Sequence, residues 1–267
     1  MKKNQEETLL KNLIIPFLKA WNLFFDISLS SNSETFESNK NISGENDTFV
    51  LYFIPIVGFI LGLFAYFLSW IVSALGGTVL ATILCPFIIV LSWELLNHAK
   101  DTAYLVNYIN FKILKHYNSD SIDTENNENN FMLFYIFTAL FIVRVLCLGV
   151  FIYYHYFGWI IVTAVLTYAV QGHLAAEDKK NSKEGLIAVD KKSISIMWII
   201  TAILCLLFGA VNFPIMLLAF IVSVLIAVKA KSSYEKTDSL SGANIGFTGK
   251  YTELIILLIG LLVRFNF

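Results

Sequence analysis

Charged side chains are scarce in this chain, at 15% of 267 residues, whereas 57% are hydrophobic. A soluble domain carries about 45–50% apolar residues and about 25% charged ones, so that class is excluded and an integral membrane protein is implied. Cysteine is scarce too: Cys85, Cys147 and Cys205 each lie inside an apolar run without partner spacing. That pattern indicates neither a disulfide frame nor a zinc site, and the three read as small core residues. A formal net charge of -1 gives no bias toward nucleic acid, so no nucleic-acid partner is expected. Proline and glycine sit singly among Ile, Leu, Val and Phe runs too long for strand alternation. The spans are therefore helices, which satisfy their own backbone hydrogen bonds in lipid, and not the strands of a barrel.

The first apolar stretch, Leu9 to Phe25, is short and broken by Lys11, Pro16 and Lys19. No small-residue cleavage site follows it, so an amphipathic helix lying at the membrane interface is expected, not a secretory signal. Ser28 to Asp47 is rich in Ser, Asn and Glu and has little to bury, which reads as a mobile linker. From Phe49 the apolar runs come in pairs joined by short uncharged links. Phe49–Ser73 and Thr78–Leu96 meet across Ala74 to Gly77, and Phe131–Tyr153 and Trp159–Ala175 across Tyr154 to Gly158. Ile194–Ala210 and Pro214–Val228 turn at Asn212, and Tyr251–Phe265 closes the chain. The expected fold is an all-α polytopic membrane bundle of about seven transmembrane helices behind an N-terminal interfacial helix. Residues 1–48 form the helix and polar linker, and residues 49–267 the transmembrane domain.

All lysines fall in the N-terminal segment or in the polar loops after the second, fourth and sixth runs, and the short turns carry none. Only Arg144, inside a run, and Arg264, at the far end, stand apart. The positive-inside rule then puts the N-terminus and the charged loops in the cytoplasm, as expected for the cytoplasmic (inner) membrane of a bacterium.

Polar groups arrive together where the second run ends. Glu94, Asn97, His98 and Asp101 share one face if that helix continues through them. Oxygen ligands one turn apart suit Mg²⁺ bridged to substrate phosphates; the alternative is a helix end meeting headgroup and water. Arg144 is apolar-flanked for more than two turns on each side and needs a partner, with Glu94 or Asp101 the natural candidates. A Gly/Ser-rich loop from Asp238 to Gly249 leads into Lys250 and Glu253. Its amides can cradle a phosphate, or it can simply connect two helices.

Several segments resemble, in order, the cobalamin-5'-phosphate synthase (adenosylcobinamide-GDP ribazoletransferase) family. Phe53-Ile-Pro-Ile-Val-Gly-Phe-Ile-Leu-Gly62 is similar to that family's Phe-Pro-Leu-Val-Gly-x-x-x-Gly start, and Lys183-Glu-Gly-Leu186 to its Glu-Gly-Leu-Gly loop. Ser241-Gly242 with Gly246 and Thr252-Glu-Leu254 resemble its closing Thr-Gly-Asp-x-x-Gly and Glu-Leu helix. The likeness runs from about Phe49 to the C-terminus. The family's Leu-Asp-Gly-x-x-Asp-x-x-Asp-Gly falls on Leu96 to Leu105, where only Asp101 keeps its carboxylate. Asn97, Tyr104 and Ala243 stand where the family has aspartates.

The resemblance implies a Mg²⁺-assisted membrane transferase that joins α-ribazole, or its phosphate, to a nucleotide-activated corrinoid with release of GMP. In that reading Asp101, Glu94 and Asn97 hold Mg²⁺. His98 is the base, Arg144 and Lys250 stabilise charge, and Ser241, Gly242, Asn244, Gly246 and Glu184 bind the phosphates. The lost aspartates equally fit a non-catalytic descendant that binds a cobamide intermediate or a partner enzyme. A prenyl or CDP-alcohol type of membrane transferase is a third expectation, since Asn97-His-Ala-Lys-Asp101 resembles part of an aspartate motif at a helix end.

Overall fold

The computed structural model describes residues 2–25, 46–117, 126–178, 187–209, 212–236 and 241–262. Among them are eight helices: α1 (Lys2–Phe24), α2 (Asn46–Leu96), α3 (Lys100–Tyr117), α4 (Asn126–Tyr153), α5 (Phe157–Ala175), α6 (Lys191–Gly209), α7 (Phe213–Lys236) and α8 (Gly242–Leu261). Five of these are long and apolar enough to cross a membrane, among them the 49-residue Thr48–Leu96. The chain is thus an integral membrane protein of helical build. The loop at Lys183 to Leu186, with Glu184, and nearly all of the Ser28–Asp47 linker lie outside the described residues.

The 51 residues of α2 do not run straight. Gly77 has φ 81° and ψ 159°, a conformation open to glycine because it has no Cβ to clash. The chain folds back there, so that the Cys85 thiol lies 3.9 Å from the Leu68 carbonyl oxygen, 17 residues away in sequence. Gly77 therefore makes the hairpin turn expected at Ala74–Gly77. The α4–α5 link is equally tight: Tyr156 N donates to Phe151 O at 2.7 Å, and His155 takes φ 59°.

Helix α5 is the axis of the bundle and packs against α2, α6, α7 and α8. Small residues let α2 approach it closely. A Cβ on Gly58 would stand 2.7 Å from Ala164 O, and one on Gly62 2.7 Å from Ile161 Cα. In lipid, where apolar side chains gain nothing by leaving the solvent, such close backbone packing is a main source of helix association. Helix α1 turns Phe17, Trp21 and Phe25 onto the bundle, with Phe17 against Phe53 and Phe25 against Tyr168. It is thus docked on α2 through one face.

Two features depart from the expected pattern. The helices are joined by one small parallel ladder, β1 (Ala176–Asp178) on β2 (Ile187–Val189), with Ala176 opposite Ile187. Lys231 of α7 caps the end of α5, donating to the carbonyls of His173 and Ala176, as a cation at a helix C-terminus should. The second departure is α3, in a stretch read as loop. Thr102, Leu105, Val106 and Asn110 are buried at helical spacing, and Tyr108 meets Phe247 of α8 with ring centroids 4.4 Å apart.

Candidate functional site

The helix ending at Leu96 does not continue through Asp101. Asn97 to Ala99 form a turn in which His98 and Ala99 have φ 52° and 55°, and Ala99 N donates back to Glu94 O at 2.7 Å. Consecutive left-handed residues without glycine cost backbone energy, of order 1–2 kcal/mol each. The chain accepts this to break the helix and restart it at Lys100 in a new direction. The single helical face expected for Glu94, Asn97, His98 and Asp101 is therefore corrected to two helix ends joined by a turn. Asn97 and Asp101 still border one cavity, with Glu94 held beside it by Lys250, whereas His98 is exposed at the turn and does not line that cavity.

Four charged side chains are buried together beside this turn. Glu94 Oε1 accepts from Arg144 Nη1, from Lys250 Nζ at 3.0 Å and from the Thr102 hydroxyl at 2.8 Å. Glu253 accepts from Arg144 Nε at 2.7 Å and Lys250 Nζ at 3.0 Å. None of the four is more than 7% exposed. Charge at membrane depth is tolerated when it is paired inside the protein, and here α2, α4 and α8 are tied by a closed ring of two anions and two cations. Glu94 is thus one partner of Arg144. Asp101 is not, because its Oδ2 accepts from the Gln171 amide of α5 at 2.9 Å.

Asp101, Asn97, Thr167, Gln171, Trp93 and Lys250 line a cavity of about 20 Å³ with Ala164, Tyr168 and Glu253. Burial pushes the Asp101 carboxyl above its ordinary range, while the Lys250 ammonium and the Gln171 amide pull it part of the way back. Four residues that line the cavity carry a buried polar atom without a partner: the donor Trp93 Nε1 and the acceptors Asn97 Oδ1, Thr167 Oγ1 and Gln171 Oε1; Glu94 Oε2 and Arg144 Nη2 of the charged ring are also without one.

The glycine-rich segment divides. Ser241 caps α8, its hydroxyl accepting from Asn244 N at 3.4 Å. Ser241 and Gly242 are exposed, and a Cβ on Gly242 would meet nothing within 4 Å. Gly246, one turn further, is buried, and a Cβ there would collide with the Asp101 carboxylate. Gly249 bears the same relation to Gln171. The two inner glycines therefore serve the close approach of α8 to Asp101 and Gln171.

A Mg²⁺ ion fits this arrangement poorly. The two cations and the Thr102 hydroxyl already hold Glu94 Oε1, which leaves Asp101 and Asn97 as the expected ligands still facing the cavity. Mg²⁺ usually keeps several waters, and about 20 Å³ has room for one water-sized centre. Among the described residues no group of three His, Cys, Asp or Glu side chains could hold a metal ion.

Sequence reasoning gathers Gln171 and Glu253 with the polar groups beside the Glu94–Asp101 face but assigns them no bond, and it does not single out Thr167 or Thr102. Glu253 was legible in principle, since a carboxylate inside an apolar helix needs a cation and Arg144 needs an anion. Gln171 carries no motif, and only the fold brings it to Asp101. His173, near it in sequence, instead accepts from Trp198 Nε1 at 3.0 Å. No family model, curated protein or solved structure matches the chain.

Proposed function

We propose that this chain is a non-catalytic binding protein built on the scaffold of a membrane transferase, of the cobalamin-5'-phosphate synthase kind that its motifs resemble. One observation carries the reading: both carboxylates at the charged centre, Glu94 and Glu253, are bonded to Arg144 and Lys250. Where a Mg²⁺-dependent transferase needs free anionic ligands, this chain has an internal ionic lock. The turn supports the scaffold. His98 stands where the family motif has glycine, and its φ of 52° is the conformation that glycine adopts most readily. The ligand class is a corrinoid intermediate, α-ribazole phosphate or a partner enzyme acting on them.

A transferase reading is favoured by a different observation. Asn97 and Asp101, and far along the chain Gly246 and Lys250, converge on one site. Purified protein given adenosylcobinamide-GDP, α-ribazole phosphate and Mg²⁺ separates the two. The binding reading expects retention of the corrinoid without release of GMP. GMP release that vanishes in Asp101→Asn overturns it.

Seven spans result when the arms of α2 are counted separately and α8 is added. In the proposed orientation the turn at Asn97–Ala99 and the α8 N-terminus face the cytoplasm of a bacterial cell, and Gly76 and Tyr156 face outward. Single cysteines at His98 and Tyr156, exposed to an impermeant thiol reagent on whole cells, test it: labelling at Tyr156 alone is expected, and labelling at His98 alone reverses the assignment.

A further inference from the structure

The cavity beside Asp101 has the chemistry of an ion site. Asn97, Thr167 and Gln171 border it at 7%, 6% and 2% exposure, and each has a buried side-chain oxygen without a partner. The Gln171 amide nitrogen donates to Asp101, which fixes the orientation of that amide and leaves Oε1 as an unsatisfied acceptor. Thr163, one turn earlier on α5, shows what a helical hydroxyl does when nothing else calls for it: it donates to Trp159 O at 2.9 Å. Thr167 makes no such bond. Leaving a buried polar group unsatisfied is costly, and the three oxygens around one small cavity point to something that satisfies all of them, whereas the Trp93 indole N–H, also buried without a partner, is a donor and is no ligand for a cation.

Charge narrows the choice. Glu94, Asp101 and Glu253 stand against Arg144 and Lys250, leaving one negative charge in excess among the five. A single water would satisfy two acceptors but leave that charge uncompensated in a low-dielectric interior. A divalent ion would overshoot it and lacks room for the waters it retains. We propose that the cavity binds one dehydrated monovalent cation of sodium's size, held by the Asp101 carboxylate and the side-chain oxygens of Asn97, Thr167 and Gln171. Because those residues belong to the turn after α2, to α3 and to α5, the ion ties the broken helix at Asn97–Ala99 to the axis of the bundle.

Thermal unfolding of the purified full-length protein in detergent tests this, with NaCl, KCl or MgCl₂ replacing choline chloride at constant ionic strength. A ligand that binds only the folded state stabilises it in proportion to the logarithm of its concentration above Kd. The unfolding midpoint should therefore climb with NaCl and not with choline. The climb should be lost in Thr167→Val, which keeps the volume and removes the oxygen, and in Asp101→Asn. Radioactive sodium in equilibrium dialysis should bind at one ion per chain and be lost in the same variants. Coincident sodium and choline curves overturn the proposal, as does a sodium shift that survives in Thr167→Val. A larger response to MgCl₂ overturns the monovalent assignment, and equal responses to K⁺ and Na⁺ overturn the size. If a variant fails to fold, the comparison of sodium with choline on the unaltered chain still decides. Neither arm involves GMP release, so failure here leaves the binding reading standing.

Discussion

Helices α5 and α7 differ in a way that reverses the rule for water-soluble proteins. The span Phe157–Ala175 has the lowest mean hydropathy of the candidate spans, 1.4, and 89% of it is buried inside the protein. The span Phe213–Lys236 has the highest, 2.5, and only 28% of its most apolar 18-residue stretch is buried. The surroundings of this protein are as apolar as its interior, so a greasy surface costs nothing and the polar side chains collect within. Thr163, Thr167 and Gln171 are all buried on α5. On α7 the residues facing the bundle include Ala219, Ser223 and Ala227, a small-residue stripe at i, i+4 spacing, while Leu217, Ile221 and Leu225 face out.

If the inside is the polar side, breaking the charged ring should do the most damage. Arg144 holds Glu94 and Glu253 at once, so Arg144→Leu strands two carboxylates beside a single lysine. Removing one partner of a buried pair typically costs about 3–5 kcal/mol, and the expected result is a severe loss of folded, monodisperse protein in detergent. Lys250→Met should have a smaller effect in the same direction, because Arg144 still bonds both carboxylates. Wild-type yield and unfolding midpoint in both variants would mean that the ring contributes nothing to folding.

Next in size come the glycines where α2 crosses α5. Gly58→Ala would force a methyl to 2.7 Å from Ala164 O, a backbone atom that cannot move alone. Overpacking of this kind costs about 1–3 kcal/mol. Gly149→Ala is the matched control, since its methyl would reach Thr82 O at an ordinary 3.4 Å. Unfolding midpoints of the two variants should separate clearly, and coincident midpoints would show that the α2–α5 crossing is looser than its geometry.

The same inversion decides what could be read from sequence. The Gly76-Gly77 link gave away its hairpin because nothing but a turn explains two glycines between long apolar runs. Arg144 gave away a carboxylate partner because an intramembrane guanidinium is intolerable alone, and Glu94 is that partner. The signal of α3 is in the sequence but masked: Thr102, Leu105, Val106, Ile109 and Asn110 follow helical spacing, hidden by the Lys, Asp and Asn residues among them. The break at Asn97–Ala99 was not legible, because neither His98 nor Ala99 is a residue that ordinarily takes positive φ twice in succession. Nor was the bond of Gln171 to Asp101 or the central place of its helix, since hydropathy does not distinguish a lipid-facing helix from a central one.

The smallest expected effect tests the inversion most directly. Leu166 on α5 is 0% exposed and packed by protein on all sides, whereas Leu225 on α7 is 52% exposed and turned away from the bundle. Truncating a fully buried leucine to alanine leaves a cavity, at a cost of about 2–5 kcal/mol in soluble cores. In a membrane protein much of the hydrophobic transfer term drops out, because the unfolded helix still sits in lipid, and Leu166→Ala should fall at the low end of that range. For Leu225→Ala a lipid or detergent chain fills the space, and the change should stay within about 0.5 kcal/mol, as for surface sites generally. Unfolding midpoints in one detergent compare the pair, although Leu225 sits in the more hydrophobic helix. Should Leu225→Ala cost as much as Leu166→Ala, the outer face of α7 is not a lipid face, and a further protein surface must cover it.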